Sequence, residues 1–97
     1  MSLITYPRSQ QDAKSNAQKI QIGLSLVEFM AKALVDHPDQ VVVTNDGSTH
    51  LYVKITCHPD DVGKLIGKGG QNADAMRRIL RSVGHRLKMA SGIEIVE

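Results

Sequence analysis

The fold of this chain is decided by one stretch, Asp61-Val62-Gly63-Lys64-Leu65-Ile66-Gly67-Lys68-Gly69-Gly70-Gln71-Asn72-Ala73. The three glycines between positions 67 and 70 rule out a continuous helix, because each one costs about 1 kcal/mol relative to alanine. The pattern predicts a short amphipathic helix, a turn bounded by Gly67 and Gly70, and a longer helix. Free amides and the positive dipole end of that helix, together with Lys68, make the turn a candidate phosphate site.

The composition is typical of one small globular domain. The chain has 97 residues, of which 41% are hydrophobic and 23% are charged. No apolar run approaches the ~20 residues of a membrane span, and the N-terminus lacks the apolar segment of a signal peptide. The single cysteine, Cys57, cannot form an internal disulfide. We therefore expect a reduced, cytoplasmic protein without a membrane segment.

Positive charge is concentrated in the second part of the chain. Residues 1–61 contain five Lys/Arg and seven Asp/Glu, a balance of −2. Residues 62–97 contain seven Lys/Arg and three Asp/Glu, a balance of +4, and they include the glycine turn. This asymmetry is typical of a surface that binds a polyanion, although a solvated helix face produces the same pattern.

Residues 1–23 are polar and are expected to be an extension outside a domain of residues 24–97. A first helix is predicted from Ser25 to His37, because Ser25 has capping-box spacing to an acidic residue and a proline follows His37. Gln21 or Ile22 is an alternative start of this helix.

Two strands, Gln40–Thr44 and His50–Cys57, are predicted on either side of a hairpin turn at residues 45–48. The long helix after the glycine turn is expected to run to about Ala90, and Ile93–Val96 is a third strand. The order α-β-β-α-α-β predicts an α/β two-layer sandwich, in which a three-stranded mixed sheet has its helices on one face.

Hydrophobic periodicity also predicts which faces form the core. In the second strand, the core face is expected to carry Leu51, Val53, Ile55 and Cys57. In the long helix, the core stripe is expected to comprise Ala73, Met76, Ile79, Leu80, Val83 and Leu87.

The glycine turn does not fit two common phosphate-binding motifs. The nucleotide-hydrolase loop requires G-x-x-x-x-G-K-[ST] after a strand, but only three residues separate Gly63 from Gly67 and the turn follows a helix. Lys68 is also followed by Gly69 rather than by Ser or Thr. The dinucleotide spacing G-x-G-x-x-G is missing as well. What remains is a G-x-x-G turn between two helices.

This pattern resembles the K-homology (KH) domain, whose G-x-x-G loop clamps about four nucleotides by their backbone. The element order resembles the bacterial type II arrangement. Residues 29–39 and 59–70, including Gly63-Lys64-Leu65-Ile66-Gly67-Lys68-Gly69-Gly70, look like the small bacterial single-KH proteins of the KhpA type. The resemblance covers about residues 24–97.

The resemblance implies a protein that binds single-stranded RNA, as an RNA chaperone or post-transcriptional regulator linked to cell division and envelope growth. It also implies a homodimer, or a heterodimer with a larger KH-containing protein. Phosphates are expected against the turn, with bases in an apolar groove formed with part of the sheet. The RNA-binding candidates are Gly67, Lys68, Gly69, Gly70, Lys64, Ile66, Val62, Leu65, Gln71 and Arg77.

Two features predict weak RNA binding with low sequence selectivity. Gln71 stands where related proteins often have a basic residue, and Gly69 leaves Lys68 as the only cationic side chain of the turn. Aromatic residues form only 3% of the chain, so stacking on bases is not expected to be the main source of affinity.

Each candidate also has a purely structural interpretation. Val62, Leu65 and Ile66 fit core positions, and Arg77 fits a solvated helix face. The sequence shows no metal-ligand cluster, cofactor motif or catalytic constellation, so we expect no enzyme activity, no cofactor and no metal. The alternative function is a protein-interaction or dimerisation adaptor with a KH fold and only incidental RNA affinity.

Overall fold

The structure is a computed structural model that describes residues 14–97. Its helices are α1 (Asn16–Leu34), α2 (Val62–Ile66) and α3 (Gln71–Leu87), and its strands are β1 (Val42–Asn45), β2 (Leu51–Thr56) and β3 (Ser91–Ile95). Short 3-10 turns lie at Pro38–Gln40, Pro59–Asp61 and Lys68–Gly70. The order along the chain is the predicted α-β-β-α-α-β.

The strands form one mixed sheet in the order β1-β2-β3. β1 and β2 are antiparallel, with Val43 opposite Ile55. β2 and β3 are parallel, with Val53 opposite Ile93. A hairpin suffices for the first pairing, whereas the parallel pairing needs the long crossover that α2 and α3 provide. The sheet confirms the predicted type II KH-like α/β sandwich.

One face of the sheet carries the core. Buried residues alternate with exposed residues along β2, so that Leu51, Val53 and Ile55 face inward. The helices cover this face through Val27 and Ala31 of α1, Leu65 of α2, and Met76, Leu80 and Leu87 of α3. The other face of β2 presents Tyr52, Lys54 and Thr56.

α1 begins earlier than predicted. The hydroxyl of Ser15 accepts a hydrogen bond from the amide of Gln18 (3.2 Å), and the Gln18 side chain accepts one from the amide of Ser15 (2.8 Å). This capping box starts the helix at Asn16, so the expected start at Ser25 is wrong.

The added turns of α1 pack on the core rather than forming a polar tail. A Cβ at Gly23 would lie 2.6 Å from Cδ2 of Leu51, which shows how closely helix and sheet approach. Residues 16–23 are therefore helical. The expectation of an extension at residues 1–13 lies outside the described residues.

Other boundaries move by a few residues. α1 ends at Leu34 rather than at His37, because Val35 has an extended backbone (φ −107°, ψ 163°). α3 ends at Leu87 rather than near Ala90, since Lys88 adopts the left-handed conformation (φ 58°, ψ 45°). The strands are shorter or shifted relative to the predicted ranges, and β3 starts at Ser91.

Ile79 is not a core residue. The predicted core stripe of α3 included it, but 47% of Ile79 is exposed, whereas the neighbouring Leu80 is fully buried. The sheet covers only part of the apolar arc of α3, so Ile79 lies on the outer surface beside α1.

Candidate nucleic-acid interface

The turn between α2 and α3 is a sharp backbone corner. Gly67, Gly69 and Gly70 have φ angles of 78°, 64° and 80°, a region that residues with a side chain rarely adopt. The amide of Gly67 donates to the carbonyl of Gly63 (2.8 Å), and the amide of Gly70 donates to the carbonyl of Gly67 (3.0 Å). The predicted break between two helices is confirmed.

Asn72 stabilises this corner, although it was not among the predicted site residues. Its side-chain amide donates to the carbonyl of Lys64 (2.8 Å), which ties the start of α3 to the last turn of α2. A Cβ at Gly67 would lie 2.8 Å from the backbone nitrogen of Asn72. An asparagine two residues after the second motif glycine was the available signal, since asparagine side chains often bond to nearby backbone groups.

The outer side of the corner is open. A Cβ at Gly69 or Gly70 would meet no atom within 4 Å, and the side chain of Lys68 is exposed. No side chain of the described chain caps the N-terminus of α3. Free amides, the helix dipole and one lysine therefore converge where a phosphate group can approach.

Lys64 lies beside the corner but is already engaged by carboxylates. Its Nζ is 3.4 Å from the carboxylate of Asp36 and 3.7 Å from that of Asp61. The hydrogen bond and the charge of Asp36 are the main reasons why the pKa of Lys64 is raised, and Asp61 adds to the effect. The pair with Asp36 is exposed and therefore weak, so a phosphate can replace that partner.

Asp61, just before α2, is a buried carboxylate that was not among the predicted site residues. Its Oδ2 accepts a hydrogen bond from the amide of His37 (2.9 Å), and its Oδ1 accepts one from the amide of Asp36 (3.3 Å). Burial raises the pKa of Asp61, but these bonds and the contact with the His37 ring outweigh burial and lower it below its ordinary value. Asp61 therefore joins the chain after α1 to the start of α2.

Two histidine rings complete this junction. The rings of His37 and His58 are stacked, with centroids 4.1 Å apart. Nδ1 of His58 accepts a hydrogen bond from the amide of Asp60 (3.0 Å) and so caps the 3-10 turn that leads into α2. The arm that ends in the glycine corner is thus anchored at its base.

Fewer of the predicted residues line the apolar groove than expected. Leu65 is fully buried in the core, so we correct the expectation that its side chain lines the groove. Val62 and Ile66 are partly buried. Val62 lines a surface groove of about 400 Å³ whose other walls include Thr56, Cys57, Pro59, Val96 and Glu97.

Arg77 and Gln71 occupy different surroundings on α3. Nε and Nη2 of Arg77 donate to the carbonyl of Ile93 (3.3 and 3.2 Å), so its guanidinium is held against β3. Gln71 is the exposed first residue of α3, and its amide donates to the carbonyl of Lys68. The six-residue separation places them about 9 Å apart along the helix axis.

None of the helices in the described part of the chain combines the length and the apolar character that crossing a membrane requires. Within residues 14–97, no group of three or more His, Cys, Asp or Glu side chains is arranged to hold a metal ion.

Comparison with known proteins gives a consistent result. Residues 25–95 match the family model described as KhpA/KhpB, KH domain. The chain is 40% identical over 74 residues to the RNA-binding protein KhpA of Halalkalibacterium halodurans, covering 75% of this chain and 97% of that protein. It is 41% identical over 69 residues to the RNA-binding protein KhpA of Mycobacterium leprae, covering 67% and 82%. The protein of the same name from Listeria monocytogenes is 37% identical over 73 residues, covering 74% and 96%. No solved structure matches the chain.

Proposed function

Because the chain belongs to the KhpA/KhpB family of KH domains, we propose that it binds single-stranded RNA through the corner at Gly67–Gly70. The observation that carries this proposal is the open corner, where positive-φ glycines precede a helix without a side-chain cap. The relatives at about 40% identity are named RNA-binding proteins, which supports the same ligand.

The corner binds the RNA backbone. A phosphate lies against the amides of Lys68 and Gly69 and the first turn of α3, where negative charge is favoured. The absence of side chains at Gly69 and Gly70 lets the sugar-phosphate chain approach the protein backbone. Lys68 adds a point charge, and Lys64 adds a second one when the phosphate replaces Asp36.

The bases lie in the adjacent groove. Val62 provides its apolar wall on α2, and Val96 provides the wall that follows β3. Ile66, which is partly buried on the same short helix, is not part of this groove. Gln71 offers a neutral side chain at the edge of the phosphate site. Arg77 acts by holding α3 against β3, because its guanidinium is occupied by the carbonyl of Ile93.

These contacts suit a cytoplasmic, non-catalytic protein with modest affinity and low sequence selectivity. The phosphate contacts carry no base information, and an apolar groove discriminates weakly between bases. Such binding is appropriate for an RNA chaperone or a post-transcriptional regulator that contacts many transcripts.

The test compares two variants with the same change in charge. Lys68→Asp/Gly69→Asp places two carboxylates in the corner, and aspartate tolerates the left-handed backbone of position 69. Arg81→Asp/Ser82→Asp makes an equal change at exposed positions of α3. Anisotropy with a labelled RNA 10-mer should show at least a tenfold loss for the first variant and a smaller loss for the second. Equal affinity of the folded loop variant and the wild type would refute the proposal.

A second property is supported by an exposed apolar face. Phe29 is 75% exposed and lies with Ile79 beside a groove of about 260 Å³ between α1 and α3. Large exposed apolar side chains that cluster in this way mark interaction surfaces. We infer that this face pairs the chain with a second copy or with a larger KH-containing protein.

Pairing can be separated from RNA binding by Phe29→Glu. Light scattering after size-exclusion chromatography should show whether the variant loses self-association that the wild type has. If Phe29→Glu abolishes pairing while Lys68→Asp/Gly69→Asp leaves RNA affinity unchanged, the adaptor function is favoured over direct RNA binding. If the wild type is monomeric at all concentrations, pairing with a second copy is refuted.

A further inference from the structure

The face of the sheet opposite the helices contains a second concave site. The cavity has a volume of about 290 Å³ and lies over the middle of β2 and β3, with Tyr52, Lys54, Gly92, Glu94 and Asp46 among its walls. It lies on the outward side of β2, whereas the core lies on the other side. The groove beside Val62 has different walls, so the two sites are separate.

Tyr52 provides an aromatic wall. It lies on the central strand and is 47% exposed. Its partner across the parallel ladder is Gly92, where a Cβ would lie 3.5 Å from Cδ1 of the Tyr52 ring. Because glycine has no side chain, a planar group can lie over position 92 against this ring.

His50 braces the tyrosine. The centroids of the His50 and Tyr52 rings are 4.1 Å apart, with an angle of 42° between the ring planes. The amide of Asp46 donates to the carbonyl of Tyr52 (2.8 Å), which holds the hairpin turn beside the same strand. The aromatic wall is therefore supported before any ligand binds.

The charged side chains around the Tyr52 ring include both positive and negative groups. Lys54 and Glu94 are opposite each other in the parallel register. Neither of them, nor Asp46, forms an ion pair within residues 14–97. Two carboxylates disfavour a phosphate here, but they can accept hydrogen bonds from N–H groups of a ligand, and the lysine can donate to a carbonyl.

We propose that this cavity, built from Tyr52, Gly92, Lys54 and Glu94, binds one guanine base of the RNA, an inference that rests on the proposed RNA binding. Guanine carries neighbouring N1–H and N2–H donors for one carboxylate and an O6 acceptor for an ammonium group. Its ring stacks on Tyr52, as bases do on exposed aromatic residues of other single-strand-binding proteins. The volume is at the small end of ligand pockets and suits a single base.

Uracil, cytosine and adenine match the hydrogen-bonding groups of this cavity less well than guanine does. None of them offers two adjacent donors together with a neighbouring carbonyl acceptor, so Glu94 or Lys54 would lose a partner. The cavity therefore supplies a base preference that the phosphate corner and the apolar groove lack.

Tyrosine fluorescence reports on this site directly. The chain contains two tyrosines, Tyr6 and Tyr52, and no tryptophan, so in the Tyr6→Phe background the emission comes from Tyr52. This variant of the 97-residue chain is titrated with an oligouridine 10-mer and with the same 10-mer carrying one central guanosine. The guanosine RNA should quench Tyr52 emission and bind about tenfold more tightly, a size typical of one stacked base.

Three variants distinguish stacking from polar recognition, with affinity measured by anisotropy. Tyr52→Ala and Gly92→Val should both abolish the preference for the guanosine RNA. A Cβ at position 92 lies at an ordinary contact distance from the Tyr52 ring, and valine favours the extended backbone of a strand, so we expect the fold to be kept. Glu94→Gln should reduce the preference while uridine binding is unchanged. Val42→Ala, an exposed apolar change elsewhere on the strands, is the matched control and should have no effect.

The outcomes separate this inference from the proposed function. Equal binding of both RNAs by the wild type, or a guanosine preference that survives Tyr52→Ala and Gly92→Val, overturns the guanine site and leaves the loop proposal intact. If Lys68→Asp/Gly69→Asp binds RNA as the wild type does, the loop proposal fails. Quenching of Tyr52 by the guanosine RNA then supports the sheet site independently.

Discussion

Nδ1 of His37 lies 2.9 Å from Oδ2 of Asp61, although the two residues are 24 positions apart in the chain. The same carboxylate oxygen accepts a hydrogen bond from the His37 amide (2.9 Å). A carboxylate only accepts hydrogen bonds, so the proton lies on Nδ1 of His37. This double contact fixes the start of α2, and with it the arm that carries the glycine corner.

We predict that Asp61 makes folding stability depend on pH. The folded-state pKa of Asp61 is lowered, so below the unfolded pKa of about 3.9 the unfolded chain binds a proton more readily than the folded chain does. The stabilisation is fully present above the unfolded pKa and is lost as the pH falls through the folded pKa. Urea unfolding between pH 7 and pH 2.5 should show this loss in the wild type.

Asp61→Asn tests the assignment, because the amide cannot accept the same set of hydrogen bonds as an anion. The variant should be less stable at pH 7 and should show a shallower decline in acid. Asp60→Asn, at an exposed neighbouring position, is the control and should keep the wild-type profile. An unchanged acid profile in Asp61→Asn would contradict the prediction.

Gly67→Ala should destabilise the protein by about 1–3 kcal/mol, the range for a residue forced into an unfavourable backbone region. The reason is twofold, since φ is 78° and the new Cβ would lie 2.8 Å from the backbone nitrogen of Asn72. Gly63→Ala is a matched control in α2, where a Cβ meets no atom within 4 Å. It should be neutral or stabilising by up to about 1 kcal/mol. Urea denaturation measures both values.

Leu65→Ala and Val62→Ala should distinguish a residue of the core from a residue that lines the groove. Leu65 is fully buried, so its truncation should cost about 2–5 kcal/mol of stability. Val62 is partly buried and lines the groove, so its truncation should cost less stability and weaken RNA binding. Thermal melts and anisotropy on the same samples check this, and a larger stability loss for Val62→Ala than for Leu65→Ala would reverse the assignment.

Cys57 should react slowly with alkylating reagents. Burial raises the pKa of its thiol, and the negative charge of Asp61 raises it further, so little thiolate is present at pH 7.5. Iodoacetamide should modify the folded protein more slowly than the urea-unfolded protein at this pH. Asp61→Asn should increase the rate in the folded state, and a rate equal to that of the unfolded chain would argue against the protected thiol.

The salt dependence of RNA binding should reveal the contribution of Lys68. Each phosphate contacted on a single strand contributes about −0.7 to the slope of log K against log salt. Lys68→Ala should therefore make the slope about 0.7 less negative. Lys14→Ala, at an exposed position before α1, should leave it unchanged. Equal slopes for Lys68→Ala and the wild type would remove Lys68 from the phosphate site.

Local signals account for the elements that were predicted well and for one that was not. The glycine corner and the hairpin follow from residues adjacent in sequence, and both are observed. The start of α1 was missed because two capping boxes compete, one at Ser15 and one at Ser25. Packing of Gly23 against Leu51 stabilises the longer helix. This contact joins segments that are far apart in the chain.

For the candidate site, too, some features follow from local sequence and others from tertiary packing. The sequence by itself determined that two helices meet at a bare corner with one lysine, because the backbone preferences of glycine act within a few residues. It also determined the α/β order, since periodicity is a local property. The resemblance to the family was carried by residues 29–39 and 59–70, which include this corner.

Only the tertiary structure decided which side chains of that stretch are available. Leu65 is core and Val62 is groove, Lys64 is paired with Asp36, and Arg77 is bound to β3. The buried carboxylate of Asp61 and the cavity beside Tyr52 arise in the same manner. The physical reason is that burial and pairing depend on neighbours supplied by other segments of the chain, and those neighbours meet only when the sheet and helices have packed.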